Sequence, residues 1–252
     1  MDLKEFFTEH PKVAVAFSGG VDSSYLFYAA VVSGADVRAY FVDSAFQPPM
    51  ERRDAERIAS DIGAADRLTI LNADILSFDD VTANPENRCY FCKKHVFGAI
   101  REQAAADGYD TILDGTNASD DPGDRPGMKA LREMNVYSPL LLCGLAKEDI
   151  RERSRQAGLF TWNKPSYACL ATRIPYGEEI TGDKLNRVGA AEDELRAMGF
   201  SDLRVRKRGE TGLIQLPAEQ FLKAAEERGT IREKLAPYFE DLALDLKPRK
   251  SR

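Results

Sequence analysis

Apolar and polar positions alternate along this chain in two styles. Over roughly the first 165 residues, short apolar runs are separated by longer stretches of helical period. Val13–Phe17 (VAVAF) is continuously apolar and runs into Ser18-Gly19-Gly20, the pattern of a strand buried on both faces. Val21–Val32 is apolar all round and predicts a well-buried helix. Val37–Val42 reads as a second strand ending at Asp43, and Met50–Ile62 as a helix stopped by Gly63. Arg67–Leu71 and Thr111–Leu113 read as strands, Cys92–Ala106 and Lys147–Gln156 as helices. Strands alternating with helices of this length predict an α/β fold, a parallel sheet with helices on both faces.

After Trp162-Asn163-Lys164-Pro165 the style changes. Residues 183–199 form an amphipathic helical pattern closed by Gly199, and LRVRKRGETGLIQL reads strand–turn–strand. A helix around Glu219–Arg228 and a strand at Leu242–Leu246 complete a small C-terminal α+β domain. The expected domains are residues 1–165 and 166–252.

Composition narrows the class. Hydrophobic residues at 43% and charged residues at 30% are ordinary globular values, which excludes disordered and fibrous chains. No run of 18 apolar residues exists, and the N-terminal segment lacks an apolar signal core, so a cytoplasmic protein without a membrane span is expected. Lys and Arg total 35 against 41 Asp and Glu, a net charge of −6, which argues against a dedicated nucleic-acid binder. Four cysteines in such a chain read as thiols, metal ligands or catalysts rather than disulfides.

The strongest motif is Ser18-Gly19-Gly20-Val21-Asp22-Ser23-Ser24, between a strand and a helix. Glycines let an anion approach the backbone, and the N–H groups and dipole of the helix start favour it there. Asp22 in the first turn would repel phosphate unless Mg²⁺ bridges the two, so the motif points to a metal–nucleotide. The Gly-Lys-Ser pattern of ordinary phosphate transfer is absent. SGGVDSS resembles the signature of the PP-loop ATP pyrophosphatases, which split ATP to AMP and pyrophosphate and attach AMP to a substrate oxygen. That resemblance implies that Ser18, Gly19, Gly20, Asp22, Ser23 and Ser24 hold the pyrophosphate, and that the end of the second strand, around Val42, Asp43 and Ser44, faces the adenine. Taken alone, Asp43-Ser44 reads equally well as a turn.

Cys89 and Cys92 form a CxxC, a spacing that puts two thiolates on one helical face. Cys169 follows 77 residues after Cys92, and Cys143, within an apolar run, reads as a small core residue. Spacing favours structural zinc, with His95 as a fourth ligand, over a cluster. Three thiolates on a [4Fe–4S] cluster, however, would leave one iron open to an exogenous ligand.

The wider set is more specific. It comprises Asp114-Gly115-Thr116-Asn117, Asp124-Arg125-Pro126-Gly127, Trp162-Asn163-Lys164-Pro165, Arg173-Ile174-Pro175-Tyr176-Gly177 and Leu203-Arg204-Val205-Arg206. With SGGVDSS, it resembles the LarE family of ATP-dependent sulfur transferases over nearly the whole chain. The resemblance implies a PP-loop (adenine nucleotide α-hydrolase-like) domain and a C-terminal domain for substrate binding and oligomerisation. It implies a pyridinium mononucleotide substrate whose carboxylates are adenylated with ATP and Mg²⁺ and become thiocarboxylates for the nickel-pincer cofactor of lactate racemase. Single-cysteine members give up their own sulfur from a cysteine at the position occupied here by Ala168. Other members carry a CxxC and a later cysteine. Cys89, Cys92 and Cys169 match that second type, which implies a [4Fe–4S] cluster and sulfide from an outside donor. Gly115 is expected at the nucleotide. Lys164, before Pro165 in an extended stretch, reads as an ATP phosphate ligand or as an ordinary surface lysine. Arg125 and Arg173 follow turn-rich segments, where functional residues concentrate, and are expected at the nucleotide and at the substrate. Arg204 and Arg206 alternate on a strand and so share a face suited to the substrate phosphate, with Glu192 on the preceding helix to orient the pair; without the resemblance, a solvated strand face is the preferred reading. A homo-oligomer is expected, with a hexamer as the size the resemblance suggests, and no nucleic-acid or membrane partner.

Three rivals stay open: a PP-loop tRNA thiolase, a zinc-stabilised nucleotide-binding protein without catalysis, and an amide synthetase, for which no glutaminase unit is visible.

Overall fold

The computed structural model describes residues 1–120 and 126–249. Its packing divides the chain into two compact units, Met1–Ile75 with Asn87–Lys164, and Leu76–Glu86 with Pro165–Arg252.

The first unit contains α1 (Leu3–Glu9), β1 (Lys12–Phe17), α2 (Val21–Val32), β2 (Asp36–Asp43), α3 (Pro49–Asp61) and β3 (Leu68–Asn72). A short helix of the second unit, α4 (Asp79–Thr82), precedes α5 (Arg88–Ala106), β4 (Ile112–Leu113), α6 (Pro126–Glu133), α7 (Pro139–Leu142) and α8 (Lys147–Gln156). Among the described residues the four strands form one parallel sheet in the order β3-β2-β1-β4, with Val15 opposite Ala39 on one side and Leu113 on the other. The alternation of side chains along β1 explains why its whole run is apolar. Val13, Val15 and Phe17 join Phe6, Leu26, Phe27, Ile58 and Ile150 in one core. Ala14 and Ala16 lie in the other, with Tyr40, Val42, Phe97, Ile100 and Leu131. Both faces are covered by helices, so the expected α/β class holds.

The α1 and α6 helices are not among the expected elements. The α1 signals are a capping box, in which Asp2 accepts from Glu5 N and Glu5 accepts from Asp2 N, and an apolar Leu3, Phe6, Phe7 spacing. The α6 segment follows a turn-rich stretch of sequence, and Pro126 is well suited to the first turn of a helix. The α5 helix begins one turn earlier than expected, at Arg88, which places both Cys89 and Cys92 on it.

The second unit contains α4, α9 (Gly182–Ala197), β5 (Arg204–Arg208), β6 (Thr211–Gln215), α10 (Phe221–Glu226), α11 (Arg228–Leu235) and β7 (Asp241–Leu244). Its sheet is mixed: β5 pairs antiparallel with β6, and β7 parallel with β6. Gly212 has a packing reason, since a Cβ there would lie 2.8 Å from the Phe239 ring. The expected single helix over 219–228 is instead two, α10 and α11, which meet at Glu227. Leu76–Glu86, which the sequence reading places in the first domain, joins this unit through Asn84. Asn84 has φ 52° and is buried, and its Nδ2 donates to the carbonyls of Pro175 at 2.7 Å and Glu178 at 3.1 Å. Among the described residues no helix is long and apolar enough to cross a membrane.

Candidate functional site

The strand order places β1 between β2 and β4, so the chain direction across the sheet reverses beside the C-terminal end of β1. Ligands of open α/β sheets bind at such a reversal. A cleft of about 330 Å³ opens there, and Ser18, Gly20, Asp22, Ser23, Asp114 and Gly115 line it. Gly19 has φ +69°, and a Cβ on it would press on the Glu51 carbonyl at 3.1 Å, so both conformation and space call for glycine. Ser18 and Ser23 lock the turn, with their Oγ atoms 3.0 Å apart and Ser18 N donating to Ser23 Oγ at 3.2 Å. Gly115 brings the end of β4 against α2, where a Cβ would sit 3.0 Å from Ser23 N. The result is a helix start whose first N–H groups face a cleft without a side-chain cap.

Charge in this cleft is mixed. Asp22 accepts from Lys147 Nζ at 2.5 Å and from Asn117 Nδ2 at 3.3 Å. Burial raises its carboxyl above the ordinary aspartate range, although Lys147 opposes the shift. Asp114 accepts from Thr116 Oγ1 at 2.5 Å and Ser138 Oγ at 2.6 Å. Lys93, which directly follows Cys92 on α5, lines the same cleft. Burial lowers its ammonium below the usual lysine range, and Asp114 is the first of the negative groups that resist. Lys93 and Lys147 are not among the expected site residues; the position of Lys93 immediately after the CxxC is the signal available for it.

Other expected nucleotide residues lie around the cleft rather than in its lining. Ser24 is buried and its hydroxyl has no hydrogen-bond partner among the described residues. Asp43 pairs with Arg52 at 2.9 Å, and Ser44 donates to Gln47, which does reach the cleft. Lys164, 12% exposed, is held by Glu51 at 2.9 Å and Asp54 at 2.6 Å and donates to the Gly19 carbonyl at 3.2 Å. It therefore braces the back of the loop. Arg125 lies outside the described residues.

Cys89 is exposed and Cys92 half-buried in the first turns of α5, while Cys169 belongs to the second unit. Cys143 is half-buried against the first core, and burial pushes its thiol up. Among the described residues, no three His, Cys, Asp or Glu side chains are grouped so as to hold a metal. His95, the expected fourth zinc ligand, sits half-buried on α5.

A second cleft, of about 630 Å³, lies within the second unit and is lined by Tyr167, Asp202, Arg204, Arg206, Gln215 and Arg249 among others. Arg206 donates to Gln215 Oε1 at 2.9 Å and to the Thr172 carbonyl at 3.1 Å. Arg173 and Glu192 are 1% and 0% exposed and stand behind this lining. Glu192 receives Arg173 Nε at 2.6 Å, Tyr167 Oη at 2.6 Å, Arg196 Nη2 at 2.9 Å and the backbone N–H of Val205 at 3.0 Å. One carboxylate thus anchors β5 between the two arginines that β5 presents.

Relatives decide the family. The pyridinium-3,5-bisthiocarboxylic acid mononucleotide synthase of Lactiplantibacillus plantarum is 36% identical over 208 residues, 82% of this chain and 75% of the relative. The chain belongs to the LarE family. An uncharacterised protein of Synechocystis is 41% identical over 87% of this chain and 82% of its own length. The tRNA-specific 2-thiouridylase MnmA of Fervidobacterium nodosum is 25% identical over 61% of this chain and 54% of its own length. No family profile matches the chain. For a LarE-family chain, the parallel sheet with a helix opening at SGGVDSS is the PP-loop fold the motif calls for.

Proposed function

We propose that this protein is an ATP-dependent sulfur transferase acting on a pyridinium-3,5-biscarboxylic acid mononucleotide, in the assembly of a nickel-pincer cofactor. Membership of the LarE family together with an uncapped helix start at a phosphate-type loop carries the reading. A carboxylate does not react with a sulfur nucleophile, because oxide would have to leave. Attack of the carboxylate oxygen on the α-phosphorus of ATP expels pyrophosphate and leaves an acyl adenylate. A sulfur nucleophile then attacks the carbonyl carbon, and AMP departs with the oxygen.

In this reading the N–H groups around Gly19, Gly20 and Val21 receive the polyphosphate at the α2 N-terminus. The cleft residues fit a hard cation: Asp22 offers a half-buried carboxylate, neutralised in this structure by Lys147. Bound Mg²⁺ would neutralise the polyphosphate there. Lys93 faces the same space as a cation. In the second unit, Arg204 and Arg206 receive the substrate phosphate, and Arg173 and Glu192 position them from behind. From the second strand Tyr40 and Val42, and beyond it Gln47, line the nucleotide cleft.

Cys89, Cys92 and Cys169 are read as the sulfur-handling set, with a [4Fe–4S] cluster as the form three thiolates suit. Cys89 and Cys92 lie on one helix of the first unit and Cys169 in the second unit, and among the described residues no three such ligands are grouped. Anaerobic iron and acid-labile sulfide analysis tests it directly: a cluster requires four of each per chain. Mass spectrometry after one turnover tests the sulfur source, since replaceable sulfur leaves the polypeptide mass unchanged while dehydroalanine at position 169 marks self-sacrifice. The reaction itself is tested by AMP, pyrophosphate and thiocarboxylate appearing together. ATP consumption without a sulfur-bearing product would overturn it. We include a homo-oligomer in the proposal, to be checked by light scattering. The likeness to a tRNA thiouridylase favours a second reading, tRNA thiolation, which tight and salt-sensitive tRNA binding would support.

A further inference from the structure

The segment that follows β7, up to Arg249, is built into the second cleft. Beyond β7 the chain continues alongside β6: Asp245 N donates to the Ile214 carbonyl at 2.8 Å, and Arg249 N to the Leu216 carbonyl at 2.9 Å. Asp245 also accepts from Gln215 Nε2 at 2.7 Å, the same Gln215 that orients Arg206. This path carries the Arg249 side chain into the cleft lining. There its Nε donates to the Asp202 carbonyl at 2.6 Å and its Nη2 to Asp202 Oδ1 at 2.7 Å, while Nη1 has no hydrogen bond among the described residues.

Arg204 is the complementary observation. It lines the same cleft, and among the described residues its guanidinium has neither a hydrogen bond nor an ion pair. Buried cations are ordinarily paired. Burial and then the neighbouring charges of Arg249, Arg173 and Arg206 hold Arg204 down to about 10, still charged at neutral pH. Three guanidinium groups thus line a partly desolvated space without enough acid between them, which is the electrostatic form of a site awaiting an anion.

We propose that Arg249 is a substrate-binding residue, forming with Arg204 and Arg206 a three-arginine cradle for the phosphate of the mononucleotide, and that Asp202 sets the strength of that cradle. The inference rests on the reading of this cleft as the substrate-phosphate site. It makes the C-terminal strand extension part of the binding site rather than a loose end.

The test is calorimetric titration of the full chain with inorganic phosphate and with the biscarboxylic acid mononucleotide. Arg204→Ala, Arg249→Gln and Asp202→Asn are compared, with the exposed Lys234→Gln as a charge control. Asp202 has φ +45°, a conformation asparagine adopts readily, so Asp202→Asn removes charge without straining the turn. Arg249→Gln should weaken both ligands about tenfold, as expected for a lost charge-assisted contact, and Lys234→Gln should leave them unchanged. Asp202→Asn should tighten binding, because it removes the negative charge next to the cradle. Opposite signs mark a ligand contact. Equal weakening by Arg249→Gln and Asp202→Asn, accompanied by equal drops in melting temperature, would reduce their pair to a structural clasp and overturn the proposal. Arg204→Ala weakening binding while Arg249→Gln does not would overturn it too and leave the substrate reading standing. No effect from either arginine would overturn both.

Discussion

The two clefts are prepared for anions in opposite ways. The first is lined by Asp22, Asp114 and Asp120, and Lys147, from outside the lining, is paired with Asp22. Its attraction for phosphate comes from backbone N–H groups and from Lys93. The second is lined by Arg204, Arg206, Lys247 and Arg249 against Asp202 and Asp245, and among the described residues Arg204 has no partner. A bare phosphate suits the second cleft but would be repelled by the carboxylates of the first. A polyphosphate arriving with a divalent cation suits the first, because the metal turns those carboxylates from repulsive to attractive. The contrast therefore supports the proposed split between a metal–nucleotide in one unit and a phosphate-bearing substrate in the other.

Four experiments strain that contrast. The largest effect is expected on the support of the second cleft. Glu192→Ala leaves the buried Arg173 guanidinium without its carboxylate, and should cost about 3–5 kcal/mol in urea unfolding; a loss under 1 kcal/mol would show that β5 is anchored by other contacts. Next is Asp22→Ala, which should lower AMP formation about 100-fold or more while leaving the circular dichroism spectrum unchanged. Parent-level AMP and pyrophosphate would show that the first cleft needs no carboxylate-held metal. Arg204→Ala should weaken the mononucleotide by about 2 kcal/mol, roughly 30-fold, without a matching change for ATP. Equal loss for both ligands would erase the distinction between the clefts.

The smallest effect concerns Asp22 in the ligand-free protein. Burial raises its folded pKa above the ordinary aspartate value, so the folded state holds the proton more tightly than the unfolded state. Stability therefore falls as pH rises through the interval between those two values, and stays lower above it. Asp22→Asn removes this cost and should melt a few degrees higher at neutral pH without Mg²⁺ or ATP. The difference should close below the ordinary aspartate range. A neutral-pH destabilisation by Asp22→Asn would mean that the Lys147 pair outweighs burial.

Much of the site was readable because short-range chemistry determines it. Gly19, Gly20 and Asp22 are dictated by a turn that needs a left-handed residue and a helix start, and those demands are local. The pairing of Arg204 with Arg206 follows from the two-residue period of a strand. Lys164 shows the limit. Its place in an extended Asn-Lys-Pro stretch pointed to a phosphate ligand, whereas Glu51 and Asp54, more than 100 residues earlier in the chain, hold it behind the loop. Arg173 is similar. Only the fold shows that it is buried against Glu192, since nothing in the spacing of 19 residues announces a pair.

The alternation of apolar runs with helical periods, the glycine turn and the family-specific residue sets were enough to determine an α/β sheet, its loop and its family. These are properties of neighbouring residues and of patterns a few residues long. Which charges meet was decided by tertiary structure alone. Asp22 with Lys147, Lys164 with Glu51, Glu192 with Arg173, and Arg249 against Asp202 each join segments whose separation along the chain carries no period. The physical reason is that an ion pair depends on distance and burial, and both are set only once the sheet and helices have packed.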